Sequence, residues 1–280
     1  MRFIYACDIH GDEYKYEKLY KIAIKQNLKY IVLGGDLLPK FCSDRYSEQL
    51  QFIRTFLNDY LTKLEKQDIK CICILGNDDM EILDKAFNKM CKTHTNIFNI
   101  DGKKVDFEDI RFIGMSNVLD HPFGCKDRVV NEVGLNMPMQ LSNRILVNKS
   151  TEYISVEEWK EYRKNIDYIE ALFEELPKES NRKKTIYIFH NPPFGCGLDV
   201  CINRQEVGSK AMQRFLLNSY AYMSLHGHIH ESPKVSNRWN IDLNGTIAIQ
   251  PGQTEFGNKR FNYVIVDTNK DEYKRYISNI

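Results

Sequence analysis

Carboxylate, imidazole and amide side chains occur in five short motifs along the chain, and each motif directly follows an apolar run. The motifs are Asp8-Ile9-His10, Gly35-Asp36, Gly76-Asn77, His190 and Gly227-His228-Ile229-His230. This mixture of oxygen and nitrogen donors suits borderline divalent metals such as Mn, Fe, Zn, Co or Ni. There are enough donors for two ions, and two ions about 3.5–4 Å apart can clamp a phosphoryl group and activate a water. The pattern therefore predicts a two-metal site.

The apolar runs before these motifs predict the strands that must position them. The predicted strands are Arg2–Cys7, Tyr30–Leu33, Cys71–Leu75, Ile186–Phe189 and Tyr222–Leu225. In open α/β sheets, ligands bind beyond the carboxyl ends of the strands. The glycines before Asp36, Asn77 and His228 allow a tight turn and a close approach of the backbone to a metal. We therefore expect five strand ends to converge on one site.

Segments of helical periodicity separate most of these strands, which favours an α/β fold. The predicted helices are Glu13–Gln26, a long helix with apolar positions from Leu50 to Leu64, Asp79–Met90, and a helix that opens with the Ser155–Glu158 capping box, continues to Leu176 and stops before Pro177. A further strand is predicted at Ile110–Ile113. The tail from Arg238 to Ile280 alternates as an antiparallel sheet does, with strands at Thr246–Ile249, Tyr263–Val266 and Tyr273–Ile277.

The chain shows no repeat or linker, so its 280 residues predict a single domain, 1–280. Residues 117–150 have weak periodicity and several Gly and Pro residues, and we expect an irregular loop region there, near the site.

Composition narrows the functional class. The 39 basic and 38 acidic residues leave a formal charge of +1, which argues against a nucleic-acid partner. No run approaches the roughly 18 apolar residues of a membrane helix, and the apolar N-terminal run is too short for a signal peptide. We expect a cytoplasmic protein without a membrane partner, whose eight cysteines are reduced thiols. A disulfide or regulatory role for Cys196 and Cys201 is the minority interpretation.

The set of motifs, in this order, resembles the calcineurin-like metallophosphoesterase superfamily, whose pattern is D-x-H, G-D, G-N-H-[DE], H and G-H-x-H. His190-Asn191-Pro192-Pro193, Gly227–Ser232 and Gln250-Pro251-Gly252 also resemble a bacterial branch of that family. The resemblance implies a four-layer α-β-β-α sandwich, in which two mixed β-sheets lie face to face with helices on both outer faces.

The resemblance also implies a role for each motif. Asp8, His10 and His230 would hold the first metal. Asn77, His190 and His228 would hold the second, and Asp36 would bridge both. The catalytic residues that it implies are Asp78, Asn77, His190 and His228, with the two histidines also holding phosphate oxygens.

One position departs from the family pattern. The third motif reads Gly76-Asn77-Asp78-Asp79, and the family has His where this chain has Asp78. An aspartic acid has an unperturbed pKa of about 3.9, against about 6.5 for His, so Asp78 is a poor proton donor at neutral pH. Ionised, it would repel a dianionic monoester more than a monoanionic diester. We therefore expect a preference for phosphodiesters or for monoesters with a good leaving group.

The leading prediction is a two-metal-dependent phosphoesterase that acts on a small phosphorylated substrate, a nucleotide being one option. A non-catalytic interaction scaffold on the same fold, or a nuclease, are the alternatives. Weaker candidates for substrate contacts are Asn117, Asp120, His121, Arg128 and Arg204, whereas we expect structural roles for His94, His226 and the Trp159 helix face. The sequence leaves the metal identity and the oligomeric state open.

Overall fold

Two six-stranded sheets lie at the centre of the protein in a computed structural model that describes residues 1–147, 150–179, 183–253 and 260–279. The strands are, in chain order, β1 (Arg2–Ala6), β2 (Tyr30–Gly34), β3 (Lys70–Ile74), β4 (Ile97–Asn99), β5 (Lys104–Phe107), β6 (Ile110–Met115), β7 (Val118–Leu119), β8 (Val129–Val130), β9 (Ile145–Leu146), β10 (Tyr153–Ile154), β11 (Lys184–Phe189), β12 (Met223–Leu225), β13 (Asn240–Leu243), β14 (Thr246–Ile249), β15 (Arg260–Asp267) and β16 (Glu272–Asn279). The predicted strands before the five motifs are confirmed to within two residues at each end.

The first sheet has the strand order β16-β15-β1-β2-β3-β4. Strands β1 to β4 are parallel, whereas β15 is antiparallel to β1 and to β16. In the register of the parallel strands, Tyr5 lies opposite Val32 and Val32 opposite Ile72. The segments that follow β1, β2 and β3 therefore leave the sheet at the same edge.

The second sheet has the strand order β13-β14-β12-β11-β6-β5. Its four inner strands are parallel, and each outer strand is antiparallel to its neighbour. Ile188 of β11 lies opposite Leu225 of β12, so the segments that carry His190 and His228 also emerge side by side.

Eight α-helices complete the described part of the chain. They are α1 (Glu13–Lys25), α2 (Arg45–Phe52), α3 (Asn58–Glu65), α4 (Asp84–Cys91), α5 (Val156–Arg163), α6 (Ile169–Glu175), α7 (Lys210–Asn218) and α8 (Ser232–Val235). A π-helical turn, Ile53–Leu57, joins α2 to α3, and a 3-10 turn, Glu81–Leu83, precedes α4. No helix in the described ranges is long and apolar enough to cross a membrane.

Alternating side chains along each strand build separate cores on its two faces, as the period of 2 requires. Phe3 and Tyr5 point into a core shared with Ile186 and Ile188 of the second sheet, which packs the two sheets face to face. Ile4 of β1 points to the other side. Two outer cores cover the sheets, one against α1, α3 and α4 and the other against α6 and α7. The four-layer sandwich predicted from the resemblance is therefore confirmed.

The single helix predicted from Ser155 to Leu176 is wrong, because the segment forms two helices, α5 and α6. The Ser155–Glu158 capping box is present at the start of α5. The side-chain amide of Asn131 donates hydrogen bonds to the carbonyls of Arg163 (3.0 Å) and Ile166 (3.3 Å). The backbone of Asn131 also pairs with Asp167 and Ile169. This distant segment occupies the gap between the helices and satisfies backbone groups that a continuous helix would have paired internally.

Two other predictions needed correction. The helix expected to begin at Asp79 begins at Asp84, because the Asp79 carboxylate accepts hydrogen bonds from the backbone of Gly76, Leu37 and Leu38. The tail does form antiparallel pairs, but β13 and β14 join the second sheet while β15 and β16 join the first.

The loop region predicted at 117–150 contains only three two-residue strands, β7 to β9, and its residues 148 and 149 lie outside the described ranges. A buried lysine holds it together: Lys126 pairs with Asp120 at 2.7 Å. The other Asp120 oxygen accepts a hydrogen bond from the indole of Trp159 (3.1 Å), which is fully buried. The division of the chain into one domain, 1–280, stays a prediction.

Candidate metal centre

The seven predicted metal-ligand residues come together where β1, β2, β3, β11 and β12 end. Backbone hydrogen bonds join the segments that carry them. The amide of Asp8 donates to Gly35 (3.0 Å), and the amide of His10 donates to Asp36 (2.8 Å). Across the two sheets, the amide of His228 donates to the Asp8 carboxylate (3.0 Å). Both sheets therefore contribute to one site, as the sequence predicts.

One group of side chains forms a cluster that could hold a metal ion. Its members are Asp8, His10, Asp36 and His230, with candidate ligand atoms all within 4.8 Å of one another. The Nε2 atoms of His10 and His230 are 3.1 Å apart, and Nε2 of His230 is 3.4 Å from Oδ1 of Asp8. Two nitrogens that each bind a common Zn²⁺ at about 2.0–2.1 Å would lie roughly 3.0–3.4 Å apart. The spacing of the two imidazoles fits a shared ion.

A second group adjoins the first through Asp36. Nε2 of His190 lies 3.4 Å from Oδ2 of Asp36 and 3.1 Å from Oδ1 of Asn77. Nδ1 of His228 lies 2.7 Å from the same Asn77 oxygen. Oδ2 of Asp36 is also 3.7 Å from Nε2 of His10 in the first group. Asp36 therefore has one oxygen near an imidazole of each group, which is the geometry that a bridging ligand needs. Oδ1 of Asp8 is farther from His190, at 4.0 Å.

Four of these residues have a strained backbone. Asp8, His10, Asp36 and His228 have φ values of 55°, 51°, 53° and 69°, in the left-handed region that non-glycine residues seldom adopt. Such conformations cost of order 1–3 kcal/mol each and persist only where the surrounding structure enforces them. Their concentration at this edge of the sheets indicates a functional site.

Two glycines make the close approach of the segments possible. A Cβ on Gly76 would lie 2.3 Å from the backbone nitrogen of Asp36 and 2.8 Å from Nε2 of His190. Gly35 has φ +96°, and a Cβ there would lie 2.5 Å from Nδ1 of His190. Any side chain at either position would push the metal-ligand residues apart.

The charges of the site favour a bound cation. Burial opposes ionisation of Asp8, yet the neighbouring His230 and His190 hold its pKa well below the usual range. Burial likewise disfavours a charged His190, but the carboxylates of Asp36 and Asp8 outweigh it and raise the His190 pKa to about 9. Burial lowers the pKa of His10 to about 4. Two buried carboxylates thus draw positive charge into the site, and divalent metals would supply it.

The donor atoms also fit metal ions individually. Nδ1 of His190 contacts the carbonyl oxygen of Gly34 at 2.8 Å, which fixes the proton on Nδ1 in the neutral ring and leaves Nε2 as an electron-pair donor. Oδ2 of Asp8 is buried without a hydrogen-bond partner among the described residues. Buried polar atoms without partners are rare and call for an explanation such as an ion.

Asp78 lies beside the metal-ligand residues but is held as an ion. Its Oδ2 is 2.7 Å from Nζ of Lys40, and its Oδ1 is 3.3 Å from Nη1 of Arg45. Although burial opposes ionisation, Lys40 and the nearby His10 and Arg45 hold the Asp78 pKa well below its usual range. A carboxylate in this state has no proton to donate, and its charge is compensated, which the sequence did not anticipate.

A cavity of about 340 Å³ opens onto the site. Its lining residues include Asp36, Lys40, Asn77, Asp78, His121, Phe123, Cys201, Asn203, Gln205, His228 and His230. His121, one of the weaker candidates, lies here with its ring centroid 5.5 Å from that of His228, and Phe123 packs edge-on against His228 at 5.6 Å. Cys201 and Cys196 are free thiols.

Two other weak candidates, Arg128 and Arg204, do not line the cavity. Arg128 is buried and forms ion pairs with Asp84 and Asp101, and its Nε donates to the carbonyl of Asp79 (3.3 Å). Arg204 is exposed and is not a lining residue, although both its neighbours are. His226 is buried between the Asn191 carbonyl and the Ser224 hydroxyl, which fits the structural role expected for it.

The sequence assigned no role to the residues that hold the ligand-bearing segments in place, although Gln250 belongs to one of the motifs that carry the resemblance. The side-chain amide of Gln250 donates to the carbonyls of Gly227 (2.8 Å) and Ile229 (2.7 Å), which fixes the turn that carries His228 and His230. Sequence reasoning also missed Lys40 and Arg45. Their position, four and nine residues after Asp36, was the only sequence signal that could have pointed to them.

Comparisons with known proteins agree with this geometry. The family model for calcineurin-like phosphoesterase matches residues 1–232. No curated protein matches the chain in sequence. Among solved structures, TT1561 of Thermus thermophilus is 14% identical with a TM-score of 0.58, covering 99% of this chain and 98% of that one. A dimetal phosphatase from Danio rerio is 10% identical with a TM-score of 0.52, covering 96% and 93%. At these identities the structural matches support the fold alone.

Proposed function

The chain belongs to the calcineurin-like phosphoesterase family, and we propose that it hydrolyses a phosphate ester at a two-metal centre built from all seven convergent residues. The observation that carries the proposal is the pair of adjoining ligand groups that share Asp36. A single ion would leave one of the two groups without a role.

In this proposal, Asp8, His10 and His230 would hold the first ion, Asn77, His190 and His228 would hold the second, and Asp36 would serve both. The donors suit two divalent transition-metal ions drawn from Mn, Fe, Zn, Co or Ni. When bound, such ions polarise phosphoryl oxygens and make a water nucleophilic at neutral pH.

The side chains of the protein contribute positioning. His190 is fixed in one tautomer by the Gly34 carbonyl, so its Nε2 is aimed at the site. Nδ1 of His228 faces Asn77, while its Nε2 is buried without a partner among the described residues and is available to donate to a phosphoryl oxygen. Phe123 packs edge-on against His228 and places an apolar group beside its ring. We therefore propose that Asn77, His190 and His228 are the residues placed around the phosphoryl group.

The substrate is proposed to be a small phosphorylated molecule, with a nucleotide as one option. The cavity of about 340 Å³ falls at the lower end of the range for small-molecule sites. The net charge of +1 gives no support to a long polyanionic substrate. We also propose that the protein is cytoplasmic, which cell fractionation would test.

Within this class we propose phosphodiesters or monoesters with a good leaving group as the preferred substrates. Asp78, paired with Lys40 and Arg45, cannot protonate a poor leaving group. The proposed preference rests on this lack of a proton donor. It does not rest on repulsion of phosphate by Asp78, because Lys40 and Arg45 offset the charge of its carboxylate. The test is kinetics on p-nitrophenyl phosphate, its bis-ester and an alkyl monoester in the metal-loaded protein. Efficient hydrolysis of the alkyl monoester would contradict the proposal.

The same assay distinguishes two alternative functions from the proposed one. A non-catalytic scaffold would hydrolyse none of the esters, whereas the completeness of the ligand set favours an enzyme. A nuclease would cleave oligonucleotides with higher kcat/KM than any small diester.

A further inference from the structure

Three charged side chains meet at the edge of the metal centre. The Asp78 carboxylate lies between Nζ of Lys40, 2.7 Å from one oxygen, and Nη1 of Arg45, 3.3 Å from the other. The Arg45 guanidinium also donates to the carbonyl of Lys40 (3.4 Å). Asp78 is 5% exposed at its side chain, and the two cations are 27% and 23% exposed. The three side chains are thus locked together rather than solvated separately.

The charge of this trio is positive. Two cations and one carboxylate leave a net charge of about +1, which counts only formal charges. With Lys40 among its lining residues, the cavity has a cationic group at the place where the proposed substrate would bind.

The two cations occupy different places. Lys40 and Asp78 line the cavity together with Asp36, Asn77 and His228, whereas Arg45 is not among the lining residues. Arg45 therefore supports Asp78 from behind, and Lys40 faces the space where a substrate would bind. An ammonium has three N–H donors, so Lys40 can hold Asp78 and contact a second anion at the same time.

We propose that Lys40 is a phosphoryl-binding residue of this site, and that Asp78 and Arg45 are the positioning residues that hold it. In this role Nζ of Lys40 donates a charge-assisted hydrogen bond to a phosphoryl oxygen and keeps its proton, so no bond to Lys40 forms or breaks. The inference rests on the proposed function. It also gives the aspartate of the third motif a purpose: Asp78 anchors a cation instead of acting as an acid.

The test uses the full-length, metal-loaded protein and the variants Lys40→Met and Lys40→Arg. Removing one preorganised donor from a reaction site costs on the order of 100-fold or more in rate. We expect Lys40→Met to lower kcat/KM for the bis-ester by about that factor and to weaken inhibition by inorganic phosphate. Lys40→Arg should restore much of both, because it keeps the charge. Metal content should stay at the wild-type level in both variants.

Lys184→Met is the matched control. Lys184 forms the same kind of pair, 2.7 Å from Asp271, at the opposite end of β11 from His190. Six residues of strand at about 3.3 Å each put it on the order of 20 Å away from the metal centre. It should change neither kcat/KM nor phosphate inhibition.

Asp78→Asn tests the positioning role. It retains the shape of the side chain but loosens Lys40, so phosphate inhibition should weaken while metal content is unchanged. A Lys40→Met protein with wild-type kcat/KM and phosphate inhibition, each within about twofold, would overturn the inference and leave the proposed function intact. If the wild type hydrolyses no ester, the proposed function fails instead. Calorimetric binding of inorganic phosphate to wild type and Lys40→Met then decides the inference, with equal affinities overturning it.

Discussion

The two ends of the central sheets carry polar groups of opposite character. At the amino ends of β1 and β11, the polar groups pair with one another, and the ion pair of Lys184 is exposed. The amino group of Met1 donates to Thr268 (2.9 Å) and Asn269 (2.8 Å), and Lys184 pairs with Asp271, which is 70% exposed. At the carboxyl ends, the carboxylates and imidazoles are buried, except for the half-buried His228. Four of these residues have left-handed backbones, and an oxygen of Asp8 lacks a partner among the described residues.

The polar groups at the amino ends stabilise the fold by pairing with one another, whereas those at the carboxyl ends are arranged to bind an ion. A protein that needed only stability would pair its buried charges with one another or replace them by apolar residues, since unpaired buried charge is costly. The carboxyl ends instead retain the arrangement that metal ions would complete. Mutations at the two ends should therefore have effects of very different size and kind.

The largest effect is expected from His190→Ala. Nε2 of His190 is in reach of both Asp36 and Asn77, so its removal takes a ligand from the second ion. Loss of outer partners of metal ligands costs about 10–100-fold, and loss of a ligand itself should cost on the order of 10³-fold in kcat/KM. His94→Ala is the control, because His94 contacts Glu65 and Asn58 on the helical side of the first sheet. Similar activity in both variants would remove the contrast between the two regions.

A smaller effect is expected from Gly76→Ala. The new Cβ would lie 2.3 Å from the Asp36 backbone, so the ligand-bearing segments must separate. We expect a loss of about 1–3 kcal/mol in the free energy of unfolding, as for other overpacked sites, together with weaker metal binding. Gly102→Ala, which meets no atom within 4 Å but has φ +63°, should cost about 1–2 kcal/mol and leave metal binding unchanged. Denaturant unfolding and metal titration would measure both.

The pH dependence of stability should also differ between the ends. Burial lowers the pKa of His226 from 6.5 to about 4, so between these values the unfolded chain binds more protons than the folded one. Stability of the metal-free protein should therefore gain from rising pH in this window, by at most about 1.4 kcal/mol per pH unit from this residue. His226→Gln should remove that part of the slope. If the difference in unfolding free energy between wild type and His226→Gln is the same throughout this pH window, His226 is not the group that causes the pH dependence.

The smallest effect is expected from Lys184→Met at the amino ends. Hydrogen bonds from Lys184 and Tyr222 lower the pKa of the exposed Asp271, so its contribution is present above the ordinary aspartate range and fades as pH falls. Exposed pairs of this kind contribute little to stability, because both charges stay in contact with water. Urea unfolding at neutral pH should show a smaller loss of stability for Lys184→Met than for Gly76→Ala, and an equal or larger loss would contradict the contrast between the two ends.

The sequence predicted the ligand-bearing ends of the strands well, because each is a local pattern: an apolar run followed by a polar donor, with a glycine directly before the donor in three of the five motifs. The convergence of those ends also followed, since parallel strands share an edge. The sequence could not predict that Asn131 would interrupt the helix expected over residues 155–176. The hydrogen bond responsible joins Asn131 to Arg163, which is 32 positions away along the chain. For the same reason the Lys40–Asp78–Arg45 trio was missed, and with it the state of the Asp78 carboxylate.

The measurement that tests the central claim most directly is the metal stoichiometry of the purified chain and of Asp36→Asn, by elemental analysis and calorimetric titration with Mn²⁺ or Zn²⁺. Asp36 touches both ligand groups, so we predict two ions per wild-type chain, weakened binding of both in Asp36→Asn, and loss of ester hydrolysis in parallel. A wild-type chain that binds no divalent ion at these residues, or an Asp36→Asn chain that binds two as tightly as wild type, would contradict the account.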